Sequence, residues 1–133
     1  MYETLVLVDQ DAHITADDIE RQLASLLERP GASRAVLTRD GESLAVKWQG
    51  FALDVNRNTH ASVSTESLEM AAKFAAGRPE RKRIAMSTER IEIAGTDDPG
   101  MDYFNDFCLV LEAIEELGPV YTFDLGSGEF MNL

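Results

Sequence analysis

The chain has 133 residues, of which 44% are hydrophobic and 27% charged, with twelve Lys and Arg against twenty-four Asp and Glu. This length and composition are typical of one folded domain and argue against a disordered chain, so we predict a single domain over residues 1–133. The net charge of −12 disfavours nucleic acid and anionic membranes as partners, because their phosphate groups would be repelled.

The N-terminal segment predicts a buried strand followed by an amphipathic helix. Residues 4–8 form a continuous apolar run with β-branched side chains, which is typical of a strand covered on both faces. Thr15 is a suitable N-cap, and the acidic residues that follow it suit the positive end of the helix dipole. One apolar stripe at helical spacing then continues towards Pro30: Ile19, Leu23, Leu26 and Leu27.

The compartment is indicated by the same segment and by the cysteine content. The apolar run at residues 5–8 is too short for a signal peptide or a membrane span. The single cysteine, Cys108, has no partner for an internal disulfide. We therefore predict a cytoplasmic protein.

The middle of the chain predicts antiparallel strands joined by tight turns. Two alternating segments, residues 35–38 and 43–48, flank Asp40-Gly41, a pair that favours hairpin turns because both residues tolerate positive φ. After Gly50 the alternation resumes over residues 51–55 and indicates a third strand.

A second helix is predicted from Ser64 or Thr65 to Gly77, with Pro79 just beyond its end. Met70 and Phe74 form an apolar strip on it, apart from the main stripe. This strip is either covered by the rest of the chain or forms the interface of a homodimer.

The C-terminal half predicts further strands and the longest helix. Residues 83–87 and 90–94 alternate and indicate either a tight hairpin or one bent strand. The helix is expected to run from Asp102, as its N-cap, to Leu117, and a last strand follows at residues 120–123.

The resulting order of elements is β-α-β-β-β-α-β(β)-α-β. Consecutive strands with helices interspersed indicate an α+β fold, in which three helices pack on a mostly antiparallel sheet of about five or six strands.

Few residues suggest catalysis or metal binding. Asp9, Asp11 and His13 have metal-ligand chemistry at alternate positions, but the glycine that an EF-hand loop requires is absent, so we expect a solvated connection. His60 and His13 are expected to be surface residues, and Cys108 to lie in the core. The sequence has no nucleophile elbow and no phosphate-binding glycine loop, so we predict no metal, no cofactor and no catalytic residues.

The most unusual feature of the sequence is its uneven charge. The last basic residue is Arg90, whereas residues 91–133 contain ten Asp and Glu side chains. On a helical projection, Leu109 lies in the middle of the polar half of the longest helix. Four carboxylates surround it: Asp102, Asp106, Glu112 and Glu116. This pattern predicts either an interaction surface, with Leu109 as an anchor in an acidic rim, or an ordinary solvated face.

We therefore predict a small protein-interaction module, that is, an inhibitor, adaptor or immunity-type partner, which binds a basic protein surface. An alternative is a ligand-binding or catalytic domain with a cleft between sheet and helices, lined by Trp48, Tyr121 and Phe123, with Asp54 or Asp124 as its polar group. A homodimeric structural protein is a third possibility. The basic run at residues 78–83 is expected to offset the acidic half of the same molecule or of a neighbouring copy.

Overall fold

The computed structural model describes residues 2–133 and has one antiparallel sheet of seven strands with four helices. The strands are adjacent in the order β2-β3-β4-β5-β1-β6-β7. This confirms the predicted α+β fold, with one helix and one or two strands more than expected. In chain order the elements are β1 (Glu3–Val8), α1 (Ala16–Leu27), β2 (Val36–Asp40), β3 (Ser43–Lys47), β4 (Ala52–Asn58), α2 (Ser62–Phe74), α3 (Arg81–Ala85), β5 (Glu89–Gly95), α4 (Phe104–Glu115), β6 (Val120–Asp124) and β7 (Glu129–Phe130).

The sheet is covered by helices on both faces, and β1 lies inside it between β5 and β6. Val6 and Val8 belong to the core cluster under α1 and α4, whereas Leu7 belongs to the cluster under α2 and α3. Because successive side chains of a strand point to opposite faces, both sets are buried. This explains the continuous apolar run in the sequence and confirms that β1 is covered on both sides.

The start of α1 is fixed by a reciprocal pair of hydrogen bonds. The backbone N–H of Asp18 donates to the Thr15 hydroxyl (3.1 Å), and the Thr15 N–H donates to the Asp18 carboxylate (2.8 Å). These bonds satisfy two N–H groups that have no partner within a helix. The predicted N-cap at Thr15 is therefore confirmed.

The hairpin between β2 and β3 differs in one detail from the prediction. Asp40 pairs with Ser43 and is the last residue of β2, so the two-residue loop is Gly41-Glu42 rather than Asp40-Gly41. Gly41 has φ +63°, a conformation that glycine adopts without steric cost. A two-residue hairpin loop with glycine at its first position matches this geometry.

The prediction of a hairpin or bent strand over residues 83–94 is wrong in its first half. Residues 81–85 form the short helix α3, and the strand β5 begins only at Glu89. In α3, Ile84 is fully buried while Met86 beyond it is 55% exposed. Five alternating residues fit one helical turn as well as a strand, so the pattern was too short to distinguish them.

In residues 2–133, none of the helices is long and apolar enough to cross a membrane.

Candidate functional site

The ion pairs of the protein are confined to one part of the chain. Among residues 2–133, oppositely charged side chains lie within 4.0 Å of each other in ten pairs. Both partners of every pair lie between Asp9 and Glu92 in the sequence. Of the ten acidic residues after Arg90, only Glu92 is paired, with Arg90 itself (2.8 Å). The other nine have no cationic partner in the described chain, which leaves the C-terminal third with an uncompensated negative charge.

The carboxylates that the sequence placed around Leu109 differ in exposure. Asp102, Glu112 and Glu116 are exposed, and Asp106 is half-buried. Of these four carboxylates, only that of Glu116 has a side-chain hydrogen-bond partner among the described residues: it accepts a hydrogen bond from Gln22 of α1 (3.1 Å). These four residues therefore form an acidic edge along the outer side of α4, and we call them the α4 acidic surface.

Leu109 does not stand exposed within this surface. It is half-buried, packs on the core cluster under α1 and α4, and lines a small cavity together with Leu26 and Leu27 of α1. Ala113, which falls on the same half of the helical projection as Leu109, is only 3% exposed. The expectation of an exposed Leu109 is wrong because α1 lies against this side of α4, which a projection of one helix does not show.

Exposed apolar side chains occur instead on the opposite flank of α4. Phe104 is 43% exposed and Met131, in the C-terminal tail, is 61% exposed. Both line an open groove of about 230 Å³ between α4 and the sheet. The groove also contains Leu111 and, at its rim, the carboxylate of Asp124. The acidic third of the chain thus has an apolar groove, but not at the position that the sequence suggested.

The floor of this groove is held by Tyr2. Its ring stacks on Phe107 with centroids 4.7 Å apart and contacts Phe104 at 5.9 Å. The Tyr2 hydroxyl donates to Asp98 (2.8 Å). Burial and the Asp98 carboxylate raise the pKa of Tyr2 to about 12, so its hydroxyl stays protonated and remains a donor at physiological pH.

Asp98, rather than Asp102, organises the start of α4. The Asp98 carboxylate accepts hydrogen bonds from the backbone N–H groups of Asp102 (3.0 Å) and Tyr103 (2.9 Å), whereas the helix itself begins at Phe104. The prediction that Asp102 is the N-cap is therefore wrong. The Asp98 side chain reaches these two N–H groups, which precede the helix, because the loop folds back on itself at Met101, which has φ +56°.

This arrangement gives a direct prediction. Replacing Asp98 with alanine should lower the free energy of unfolding by about 1 kcal/mol, because the hydrogen bonds that hold the loop before α4 are lost. Asp102→Ala should have little effect, because the Asp102 carboxylate makes no capping bond. Urea denaturation of the two variants checks this, and equal effects for both would contradict the assignment of Asp98.

The alternating residues Asp9, Asp11 and His13 do not converge on a metal position. Both Asp9 and Asp11 accept hydrogen bonds from Arg83 of α3 (2.6 and 2.7 Å to Nη2). His13 is exposed and lies 3.6 Å from Glu89. Within the described chain, Arg83 is the one residue of the run at residues 78–83 that forms an ion pair. Its partners are Asp9 and Asp11, not the acidic residues after Arg90 that the run was expected to offset.

Asp9 itself is buried, with 1% exposure, and also accepts a hydrogen bond from the Tyr121 hydroxyl (2.6 Å). The hydrogen bonds from Arg83 hold the pKa of Asp9 far below its ordinary value, against the opposing effect of burial. The bonds to Arg83 and Tyr121 join β1, α3 and β6. We therefore interpret this cluster as structural.

The remaining residues with reactive side chains have local roles. His60 Nδ1 accepts a hydrogen bond from the Ser62 backbone N–H (3.1 Å) at the start of α2. Cys108 is half-buried, and burial together with Glu112 raises the pKa of its thiol. A raised pKa disfavours the nucleophilic thiolate.

The aromatic residues of the alternative hypothesis do not line one cleft. Trp48 belongs to the cluster under α1 and α4, whereas Tyr121 and Phe123 belong to the cluster under α2 and α3. Their side chains therefore lie on opposite faces of the sheet. Asp54 pairs with Ala94 on an exposed part of β4, and Asp124 lies by the groove beside Phe104.

The strip proposed as a dimer interface is mostly internal. Met70 is 9% exposed and packs in the cluster under α2 and α3. Phe74 is 43% exposed, but its ring contacts Phe123 with centroids 4.8 Å apart. The strip is therefore covered by the chain itself at Met70, which was one of the two outcomes that the sequence allowed.

The sequence reasoning missed the groove beside Phe104. On a helical projection Phe104 falls at the margin of the apolar half of the helix, where it is not distinguished from core residues. The sequence does not show that Met131 lies near Phe104, because this proximity depends on the turn after β6 that returns the tail to the sheet.

Comparison with known proteins gives no independent indication of function: no family model matches the chain, and neither a curated protein nor a solved structure matches it.

Proposed function

We propose that this protein is a cytosolic interaction module, an inhibitor, adaptor or immunity-type partner, that binds a basic protein through its C-terminal third. The observation that carries the proposal is the set of nine acidic residues without an ion-pair partner in the described chain, next to an apolar groove. The single free cysteine, Cys108, is consistent with a reducing compartment.

Electrostatics supports a basic partner. Carboxylates that lack cations nearby repel one another and create a negative potential at the surface. A partner with Lys and Arg side chains relieves that repulsion and is attracted before contact, so association is fast and depends on salt. The same potential repels nucleic acids and anionic lipids.

The groove beside Phe104 supplies the affinity that charge alone does not. Exposed rim charges contribute mainly to the rate of association, whereas a buried apolar contact supplies most of the binding free energy. Phe104, Leu111 and Met131 together offer a surface for one apolar side chain of the partner. The partner that fits therefore presents basic side chains to the α4 acidic surface and an apolar residue to the groove on the other flank of the helix.

Three variants test the proposal. The charge variant Asp102→Asn/Glu112→Gln/Glu116→Gln removes three exposed carboxylates, and Phe104→Ser removes the groove's main apolar group. The matched control, Asp17→Asn/Glu20→Gln, removes carboxylates that already pair with Arg39 of the same chain. Each variant is immobilised and used to capture basic proteins from a lysate of the source cells, and the captured proteins are quantified by mass spectrometry at low and high salt.

We expect one basic protein that binds the wild type and the control equally. Its binding should fall about tenfold or more in the charge variant and in Phe104→Ser, and also on raising the salt to about 0.3 M. The proposal is wrong if no basic protein shows reduced capture by both the charge variant and Phe104→Ser. It is also wrong if capture of that protein is the same at low and high salt.

A further inference from the structure

Two cations that make no ion pair in the described chain line a groove that adjoins the α4 acidic surface but shares no residue with it. Five of the twelve basic residues, all arginines, pair with carboxylates in the described chain. Arg34 and Lys47 are not among them, and both are exposed. From residue 29 to 48 the chain carries four basic and two acidic side chains, a local charge of +2 in a protein of net charge −12.

The groove has the size of a small-molecule site. Its volume is about 770 Å³, within the range of roughly 300–1,000 Å³ that is usual for ligand pockets. It lies at the end of the β2–β3 hairpin. It is lined by residues 33–36 and Thr38 of β2 and the segment before it, by residues 47–49, and by Tyr103.

The aromatic wall of the groove is held in place from behind. Tyr103 stacks on Phe51 with ring centroids 5.2 Å apart and an interplanar angle of 12°. The Gly50 backbone N–H donates to the Tyr103 hydroxyl (3.1 Å). Trp48 is 8% exposed, and its indole N–H is a buried donor without a partner among the described residues. A rigid aromatic wall lowers the entropy that a ligand's binding costs.

We infer that this groove binds a small organic anion that carries a planar apolar group. The guanidinium of Arg34 and the ammonium of Lys47 hold the charged group, and the planar part packs against Tyr103 and the exposed edge of Trp48. A carboxylate, sulfonate or phosphate ester on an aromatic ring system has this chemistry. The site is independent of the proposed protein partner, because the α4 acidic surface and the groove beside Phe104 take no part in it.

The protein contains a natural reporter for this site, since Trp48 is its only tryptophan. The probe is 1-anilinonaphthalene-8-sulfonate, an anion on a planar ring system, and the readout is energy transfer from Trp48 to the bound probe. N-phenyl-1-naphthylamine, the same molecule without the sulfonate, measures the contribution of the apolar part alone. Inorganic phosphate as competitor measures that of the charge alone.

We expect saturable binding of the sulfonate probe, weakened about tenfold or more in Arg34→Ala/Lys47→Ala, since bonds to charged groups are being removed. N-phenyl-1-naphthylamine, the neutral analogue, should bind the wild type about tenfold more weakly than the sulfonate probe does. Its affinity should be the same for the wild type and for the double variant. The matched control Lys73→Ala/Arg78→Ala removes two other exposed cations without ion pairs and should bind the probe like the wild type.

Three results would each overturn the inference: no saturable energy transfer, equal affinity for the two probes, or equal affinity in the wild type and in Arg34→Ala/Lys47→Ala. The variants replace exposed side chains, so their thermal melting should match that of the wild type, which shows that any lost binding is not caused by unfolding. None of these results depends on whether the basic protein partner exists.

Discussion

Replacing Asp9 with asparagine is expected to lower the free energy of unfolding by about 3 kcal/mol at neutral pH, the lower end of the cost of breaking a buried ion pair. Asp9 is 1% exposed and accepts hydrogen bonds from both Arg83 (Nε 2.8 Å, Nη2 2.6 Å) and Tyr121 (2.6 Å). Asparagine keeps the shape but removes the charge. The loss of free energy stays at the lower end because the Arg83 side chain is 47% exposed, so its guanidinium can be hydrated when the Asp9 charge is absent.

The destabilisation should disappear in acid. The folded protein holds the pKa of Asp9 below its unfolded value, which is about 4. A depressed pKa contributes stability that is fully present above the unfolded pKa and is lost as the pH falls towards the folded one. Asp9→Asn lacks this contribution at every pH. The difference in the free energy of unfolding between wild type and variant is therefore largest above about pH 5 and decreases below about pH 4.

Urea denaturation followed by circular dichroism at neutral pH and at several acidic pH values measures this difference. Asp11→Asn is the matched control, because Asp11 bonds the same Arg83 nitrogen but is 72% exposed, so its loss should change stability little. If Asp9→Asn costs no more than Asp11→Asn, or if its cost is unchanged in acid, the Asp9 cluster does not stabilise the fold as inferred.

The predictable part of the fold is the part that depends on a single element's own pattern. β1 was recognisable from its apolar run, and α1 from Thr15 and the stripe that follows it, because these signals are local. The strand β7 and the helix α3 were missed. A two-residue strand has no periodicity, and Ile84 and Arg83 are placed by contacts with the sheet and with Asp9 rather than by their neighbours in sequence.

The candidate site was predictable in its charge but not in its shape. The count of acidic residues after Arg90 is a property of the sequence, and it led to the α4 acidic surface. The anchor was assigned to Leu109, since the sequence does not tell that α1 covers this side of α4. The groove at Phe104 depends on Tyr2 and Met131, residues from the two ends of the chain.

The distribution of ion pairs connects the fold with the proposed function. Arg57 and Arg90, whose side chains are only 12% and 11% exposed, each pair with two carboxylates, and Arg83 pairs with Asp9 and Asp11. These arginines hold neighbouring elements together within residues 9–92. After Arg90 only Glu92 joins such a pair in the described chain, while Asp98 and Glu115 accept hydrogen bonds from hydroxyl groups of Tyr2 and Thr122. The proposed partner gives a physical reason for the acidic charge that the arginines of the fold do not neutralise.

A second large effect is expected at Gly95, the last residue of β5, which is buried. A Cβ atom at this position would lie 2.9 Å from Cζ of Phe51 and 3.1 Å from Cδ2 of Leu53, closer than van der Waals contact allows. The Phe51 ring cannot move away freely, because it stacks on Tyr103 (5.2 Å) and contacts Trp48 (5.7 Å). Gly95→Ala should therefore destabilise the fold by about 2 kcal/mol, as overpacking of a core does.

Two further variants isolate this cause, with urea denaturation as the measurement. Gly118→Ala is the matched control: its Cβ would lie 3.7 Å from the Ala12 Cβ, an ordinary contact, so it should change stability by less than about 0.5 kcal/mol. In a Phe51→Leu background the smaller side chain gives way, and Gly95→Ala should then cost about 1 kcal/mol less than in the wild type. An undiminished cost in that background would mean that the backbone of β5, rather than the ring of Phe51, requires glycine. The aromatic wall formed by Phe51 and Tyr103 would then tolerate the extra methyl group, and the groove beside Trp48 would keep its shape in the variant.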